Sequence, residues 1–314
     1  MQTALLDWFA QHARDLPWRH TRDPYRILVA ELMLQQTQVV RVLPKYEAFL
    51  AAFPDLATLA AAPTAEVIRR WAGLGYNRRA VNLQRAVQMV LQEHGGVFPR
   101  DVVLLRQLPG VGPYTAGAVA CFAFEQDVAF MDTNIRRVLL RTHYGAAQVD
   151  VPGERALLAV AERLVPAGQG WTWNQALMEL GALICTAATP ACQRCPVRPM
   201  CRAYGEWQVT DAATILAMGA PLRTQAAQPR QRAAERRADY RSETSFVGSR
   251  RWYRGRIVDL LRPLPPERSL PLAELGSQLK PDFTPDEMAW LDELVQGLIR
   301  DGLVVMEDGA VRLP

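Results

Sequence analysis

The chain has 314 residues, 49% of them hydrophobic and 22% charged, and carries a formal net charge of +4 with arginine as the dominant cation. That length and apolar content are enough for two domains and a substantial core. Charge interrupts the longest apolar runs, as Arg136 and Arg137 do after Ile135, which excludes a membrane span. Guanidinium groups bind phosphate oxygens bidentately, so the charge favours a polyanionic partner, although a mildly basic solvated surface gives the same balance.

From residue 3 to residue 181 the sequence reads as successive helices of ordinary length broken by Pro and Gly, and the expected class is mainly α. Ile27, Leu28, Leu32 and Leu34 recur at helical spacing with Glu31 among them. A carboxylate there is either an exposed helix residue or a buried acid, and the leucines around it favour the second. Helices are expected to stop at Gly73 and Gly75, at Gly95 and Gly96 after a run through Leu83, Val87 and Leu91, and at Gly145.

Between two of these helices stand Leu108, Pro109, Gly110, Val111, Gly112, Pro113 and Tyr114. Gly110 and Gly112 flank Val111 and leave the tightest positions without side chains. Backbone can then approach a phosphate, with N–H groups from Thr115 onward aimed at an anionic oxygen. A tight interhelical turn with no ligand has the same pattern. Further on, Asp132 lies between Met131 and a new helix, where aspartate also serves as an ordinary N-cap.

Cys185, Cys192, Cys195 and Cys201 follow with spacing Cx6Cx2Cx5C, and Pro190, Pro196 and Pro199 supply turns between them. Four thiolates this close can hold a 4Fe-4S cluster. Tetrahedral zinc remains the alternative, but zinc sites usually pair cysteines in two short hooks, and the six-residue gap departs from that. A disulfide framework is disfavoured because Cys121 stands alone in an apolar run and no secretory leader is expected, which favours the cytoplasm. His12, His20, His94 and His143 form no ligand-spaced set.

Composition shifts after the cysteines. Residues 211–244, rich in Ala, Gln and Arg, read as a linker, and 245–314 as a separate module. Helices expected over 256–261, 272–279 and 286–300, then Asp308-Gly309 as a hairpin turn, make that module winged-helix-like. Such modules bind DNA in some proteins and pack against a partner domain in others.

Taken together, the glycine hairpin, the aspartate after it and the cysteine loop resemble the helix-hairpin-helix DNA glycosylases, and within them the MutY-type adenine glycosylases. The likeness runs over residues 16–202. It rests on Leu16, Pro17, Trp18 and Arg19; on the run from Glu31 through Gln35, Gln36 and Thr37; on Gly73, Leu74, Gly75 and Tyr76; on LPGVGPYTAGAV at 108–119; on Asp132 with Asn134; and on the four cysteines. The fold it implies is a two-lobed glycosylase domain over 1–210 with a structural cluster loop at 185–201, whose Arg194, Arg198 and Arg202 face DNA. The implied partner is double-stranded DNA with a mismatched or damaged base pair, bound by a monomer.

The resemblance also implies roles. Glu31, its pKa raised by desolvation, protonates the departing adenine at N7, while Asp132, kept ionised with help from Asn134, stabilises charge at C1′. The base must first leave the stack, and Gln36 is the expected wedge, beside Gln35, with Tyr76 on the other flank. Arg19, Asn77, Gly110, Val111, Gly112 and Thr115 complete the expected DNA contacts. Tyr114 stands where bifunctional relatives carry a nucleophilic lysine, and a phenol cannot form a Schiff base, so a monofunctional enzyme is expected. The chain departs from the family at Asn77, usually a second tyrosine, at Thr133, usually glycine, and in lacking the Phe-Ser-His loop of a Nudix-like C-terminal domain. Shorter relatives carry a motif like the RGRIVDLLR of residues 254–262 instead. A thymine or uracil mismatch glycosylase and a non-catalytic DNA-binding relative are the alternatives, and intact Glu31 and Asp132 argue against the last.

Overall fold

A computed structural model of the chain describes residues 1–146, 153–208 and 246–314; the linker expected at 211–244 lies outside the described residues. The expected helices are present as α1 (Gln2–His12), α2 (Pro24–Leu34), α3 (Val39–Ala52), α4 (Leu56–Ala61), α5 (Thr64–Arg70), α6 (Arg78–Glu93), α7 (Val102–Leu105), α8 (Pro113–Phe124), α9 (Thr133–Leu139), α10 (Glu154–Leu164) and α11 (Gly170–Leu183). After them come α12 (Arg250–Leu261), β1 (Leu270–Pro271), α13 (Leu272–Leu279), α14 (Met288–Arg300), β2 (Val305–Glu307) and β3 (Ala310–Arg312). Among the described residues no helix is long and apolar enough to cross a membrane.

The chain folds as two units, each built from two separate stretches. One comprises Met1–Arg22 and the described part of Pro113–Tyr240. Its central helix is α8, in which every residue from Thr115 to Ala123 is buried, the pattern of a helix that is apolar all round. Helix α11 lies against α1 and α9 and buries Trp173, Leu177 and Leu180. Glu179, on the same helix and fully buried, accepts from Arg14 through both carboxylate oxygens at 2.8 Å and from Arg19 Nη2 at 2.9 Å. Burial pushes this carboxyl up, but the two arginines outweigh it and hold it down at about 2.

Arg19 therefore corrects the sequence reading. Instead of facing DNA, its side chain is 8% exposed and also donates to Gln175 Oε1 and to the Arg14 carbonyl. A buried carboxylate needs cationic partners to offset its desolvation, and Arg19 is one of them.

The other unit comprises Asp23–Gly112 and the described part of Arg241–Pro314. Asp23 caps α2 by accepting from Tyr25 N at 2.9 Å, with Pro24 in the first helical position, where a missing N–H carries no penalty. Helix α2 packs on α3 and α6, with Phe49 edge-on to Trp71 beneath. The C-terminal elements run helix, strand, two helices, hairpin, the order of a winged helix, and the strands form an antiparallel sheet in the order β1-β3-β2. Asp308 and Gly309 both have positive φ, 49° and 73°, as the two-residue turn read from the sequence requires.

This C-terminal segment shares one core with the helical part of its unit. Ile257, Leu261, Leu291, Leu294, Leu298 and Val311 cluster with Ala65, Ile68 and Val81. The carbonyl of Pro314 accepts from Ala65 N at 2.9 Å. A module of about 70 residues buries a smaller share of its surface than a larger domain does, and sharing apolar surface with α5 and α6 adds to it. The separate unit expected from residue 245 is thus docked onto those helices.

Candidate active site and nucleic-acid interface

Glu31 and Asp132 belong to different units. In the first of these settings, Glu31 sits on α2 with only 4% of its surface exposed, between Ala30 and Leu32, both fully packed. The helix ends at Leu34, and the chain turns through Gln35 to Gln36, which is exposed and held at φ 54°. A second exposed loop runs through Gly73 and Gly75 to Tyr76, at φ 45° and 46% exposed. Left-handed backbone at a non-glycine residue stores strain, and such positions cluster where a side chain must be presented.

These loops are joined chiefly by a residue that no local sequence pattern marks. Arg79, on the first turn of α6 and 7% exposed, donates through Nη1 to the carbonyls of Leu32, Met33 and Gln35. Its Nη2 donates to the carbonyls of Leu74 and Gly75 and to Thr37 Oγ1. The guanidinium also lies over the rings of Trp71 and Tyr76, 5.4 and 5.5 Å from their centroids. Burial pushes its pKa down to about 10. The carbonyls left open at the end of α2 find their donor here, more than forty residues away in sequence. Asn77, expected at DNA, is half-buried, and its Oδ1 accepts from Arg262 Nη2 at 2.7 Å.

The glycine hairpin closes this unit. Leu108 and Val111 are buried while Gly110 and Gly112 are exposed, so two apolar anchors hold two bare stretches of backbone outward. Gly110 has φ 79°, and a Cβ there would stand 2.8 Å from Cβ of Asn82. Glycine is required on both counts. The Val111 side chain points inward and its N–H donates to the Leu108 carbonyl at 3.1 Å, which pins the turn between the two exposed glycines.

In the other unit, α8 follows the hairpin directly. Thr115 is 2% exposed, so its side chain packs inside the unit; the contact expected of it is through its N–H, in the first turn of the helix. Tyr114 is half-buried with its ring edge-on to Phe130. Asp132 caps α9, as its position suggested: Oδ1 accepts from Ile135 N at 2.6 Å and Oδ2 from Asn134 Nδ2 at 2.8 Å. Burial pushes the Asp132 carboxyl above its ordinary value, opposed by those hydrogen bonds and by the nearby charge of Arg137. The helix-end and Asn134 contacts expected to keep it ionised are present, but desolvation is the larger effect. Asn134 is seated where α11 comes close: a Cβ on Gly181 would lie 2.5 Å from Cβ of Asn134.

Arg137 links this segment to the cysteines. It donates to Asn134 Oδ1 at 2.8 Å, to the Gly181 carbonyl, and through Nε to the carbonyl of Cys185. Arg141 continues the chain of contacts, reaching Cys185 Sγ at 3.3 Å and the Thr186 carbonyl at 2.7 Å. Cys185, Cys192, Cys195 and Cys201 all line one cavity with Val138, Leu180 and Val197. Burial pushes the thiols of Cys192, Cys195 and Cys201 up, Cys195 to about 11, and neighbouring cysteines add to each shift. No three His, Cys, Asp or Glu side chains among the described residues converge tightly enough to hold a single metal ion. Four thiols lining one cavity are a donor set that either a 4Fe-4S cluster or a tetrahedral zinc ion takes. Arg194 and Arg202 are exposed on this loop.

Comparison with known proteins agrees with this layout. Residues 29–165 match the HhH-GPD superfamily of base excision DNA repair proteins. An adenine DNA glycosylase from Mycolicibacterium smegmatis is 40% identical over 302 residues, 96% of this chain and 91% of that protein. The human adenine DNA glycosylase is 42% identical over 226 residues, 69% of this chain and 41% of that one. Among solved structures, a thermostable thymine-DNA glycosylase superposes with a TM-score of 0.61 at 34% identity, over 65% of this chain and 94% of that one. With a relative so similar along nearly its whole length, the chain belongs to the MutY-type adenine DNA glycosylases of the HhH-GPD superfamily.

Proposed function

We propose that this protein is a monofunctional DNA glycosylase of base excision repair, which flips adenine out of duplex DNA and hydrolyses its N-glycosidic bond. The adenine is one mispaired with guanine or 8-oxoguanine. The observation that carries the reading is Glu31, an acid 4% exposed inside α2 in a chain of the adenine-glycosylase family. Burial favours the neutral form of a carboxyl, and a neutral acid is what the departing purine needs.

The chemistry follows from the groups available. Glu31 donates its proton to adenine N7, the C1′–N9 bond breaks with its electron pair leaving on the base, and the sugar becomes oxocarbenium-like. Asp132, as the carboxylate, stabilises that charge electrostatically or through a transient adduct. Water then adds at C1′ and loses a proton, leaving an abasic site. Asn134 and Ile135 N fix the orientation of Asp132. Tyr114 supplies no amine for Schiff-base chemistry, so the strand stays intact.

Extrusion of the base requires something to fill the gap. Exposed Gln36 and Tyr76, both in left-handed backbone, take that role, with Gln35 behind. Backbone at Gly110, Val111 and Gly112 binds phosphate. Cys185, Cys192, Cys195 and Cys201 would hold a 4Fe-4S cluster, which when bound braces the loop carrying Arg194 and Arg202 without entering the reaction. The protein acts as a monomer in the cytoplasm, on the nucleoid.

The test is a panel of duplexes carrying A opposite 8-oxoguanine, A opposite G, T opposite G and U opposite G, treated with alkali after incubation. Product from the adenine duplexes alone is expected. Product from T or U opposite G would favour the thymine-type chemistry named for the 34% identical structure, and binding without product would mark a non-catalytic relative.

A further inference from the structure

We propose that Arg262, in the C-terminal segment, is a positioning residue for Tyr76, acting through Asn77. This rests on the reading above that Tyr76 touches DNA.

The contacts join the end of α12 and Asp301 to the residues around the exposed loop. Arg262 follows α12 directly, and its side chain is 13% exposed. It donates through Nη2 to Asn77 Oδ1 at 2.7 Å and through Nε to the carbonyl of Ile68 at 3.3 Å. Arg69 answers by donating to the carbonyls of Arg262 and Leu264 at 3.1 and 2.9 Å. One residue beyond Asn77, Arg78 pairs with Asp301 at 3.4 Å, and Asp301 is itself held by Arg254. The C-terminal segment thus grips the two residues that follow Tyr76.

Tyr76 needs such a grip. Its φ of 45° is a conformation that persists only where surrounding contacts over-determine it. Arg79 holds the loop from inside through the Gly75 and Leu74 carbonyls, and Arg262 holds it from outside. A helix end at Leu261 would not by itself require an arginine that reaches Asn77, and Asp259 already pairs with this guanidinium. The reach to Asn77 fixes the start of α6, and with it the angle at which Tyr76 projects. The C-terminal segment then shapes the DNA-facing loop from behind and needs no nucleic-acid contact of its own to do so.

The experiment is a pair of double-mutant cycles on the full-length protein, read as affinity for a duplex carrying A opposite 8-oxoguanine. Arg262→Ala, Asn77→Ala and Tyr76→Ala are each expected to weaken binding about tenfold, whereas either of the first two added to Tyr76→Ala weakens it by no more than about twofold. A purely structural role for Arg262 would lower the melting temperature and weaken binding by the same factor with or without Tyr76, and that additivity overturns the proposal. So does unchanged affinity in Arg262→Ala. If Tyr76→Ala alone leaves affinity unchanged, the reading of Tyr76 as a DNA contact fails and the proposal falls with it, a result distinct from additivity. Should Arg262→Ala not fold, the smaller change Asn77→Ala, at a half-buried position, completes the same cycle.

Discussion

Arg137 donates to the side-chain oxygen of Asn134 at 2.8 Å, and the same guanidinium reaches the Cys185 carbonyl. Asn134 in turn donates to Asp132, so the proposed catalytic carboxylate is tied through two side chains to the first residue of the cysteine loop. Structure that looks like a remote brace is three hydrogen bonds from that carboxylate.

A pH dependence follows from that link. With Asp132 as the proposed anion and burial raising its pKa, activity is expected to be lost as pH falls through a value above the ordinary 3.8 of an aspartate. Arg137 opposes that rise. Arg137→Ala removes the opposing charge, and the acid limb of kcat/KM is expected to move to higher pH. A limb that stays in place in the folded variant would separate Arg137 from Asp132.

Glu179 governs stability with the opposite sign. Its pKa in the fold is about 2 against an ordinary 4.5, so its contribution is complete above the unfolded value and fades as pH falls from there toward 2. Glu179→Gln leaves Arg14 and Arg19 without their carboxylate and is expected to destabilise by about 3 kcal/mol at pH 7. Urea midpoints at pH 7 and pH 3 check this, with the gap between variant and parent narrowing at the lower pH.

Arg79→Lys keeps the charge and loses the fork that serves two loops at once. About 2 kcal/mol of stability should go with it, and affinity for duplex DNA should fall because Gln36 and Tyr76 lose their common anchor. Chemical denaturation and DNA titration of the variant test the two halves separately.

For the cysteines, iron analysis of anaerobically purified protein decides between the two metal readings. About four irons per chain are expected, with Cys195→Ser losing them. One zinc per chain would contradict the cluster.

Much of this architecture was legible in the sequence because it is local. The Asp308-Gly309 turn, the glycines around Val111 and the helix stops need only near neighbours to be read. Asp132 was legible as a cap, and Glu31 as a buried acid, from the apolar residues at helical spacing around it. Arg79, Arg137 and Arg262 were not, since each finds acceptors some forty to two hundred residues away. No local pattern marks an arginine that will turn inward. Arg19 misled for the same reason: a guanidinium suited to phosphate is equally suited to Glu179. The docking of the C-terminal segment onto α5 and α6 also depends on apolar faces that composition shows without naming a partner.

The central claim is that Asp132 is the anion on which excision depends. Single-turnover adenine release from a duplex with A opposite 8-oxoguanine, measured beside DNA affinity for the parent and Asp132→Asn, tests it directly. The parent should form abasic sites that break only with alkali, and the variant should lose about 10³-fold in rate while binding as well as the parent. Asp132→Asn protein that still released adenine at the parental rate would contradict the assignment.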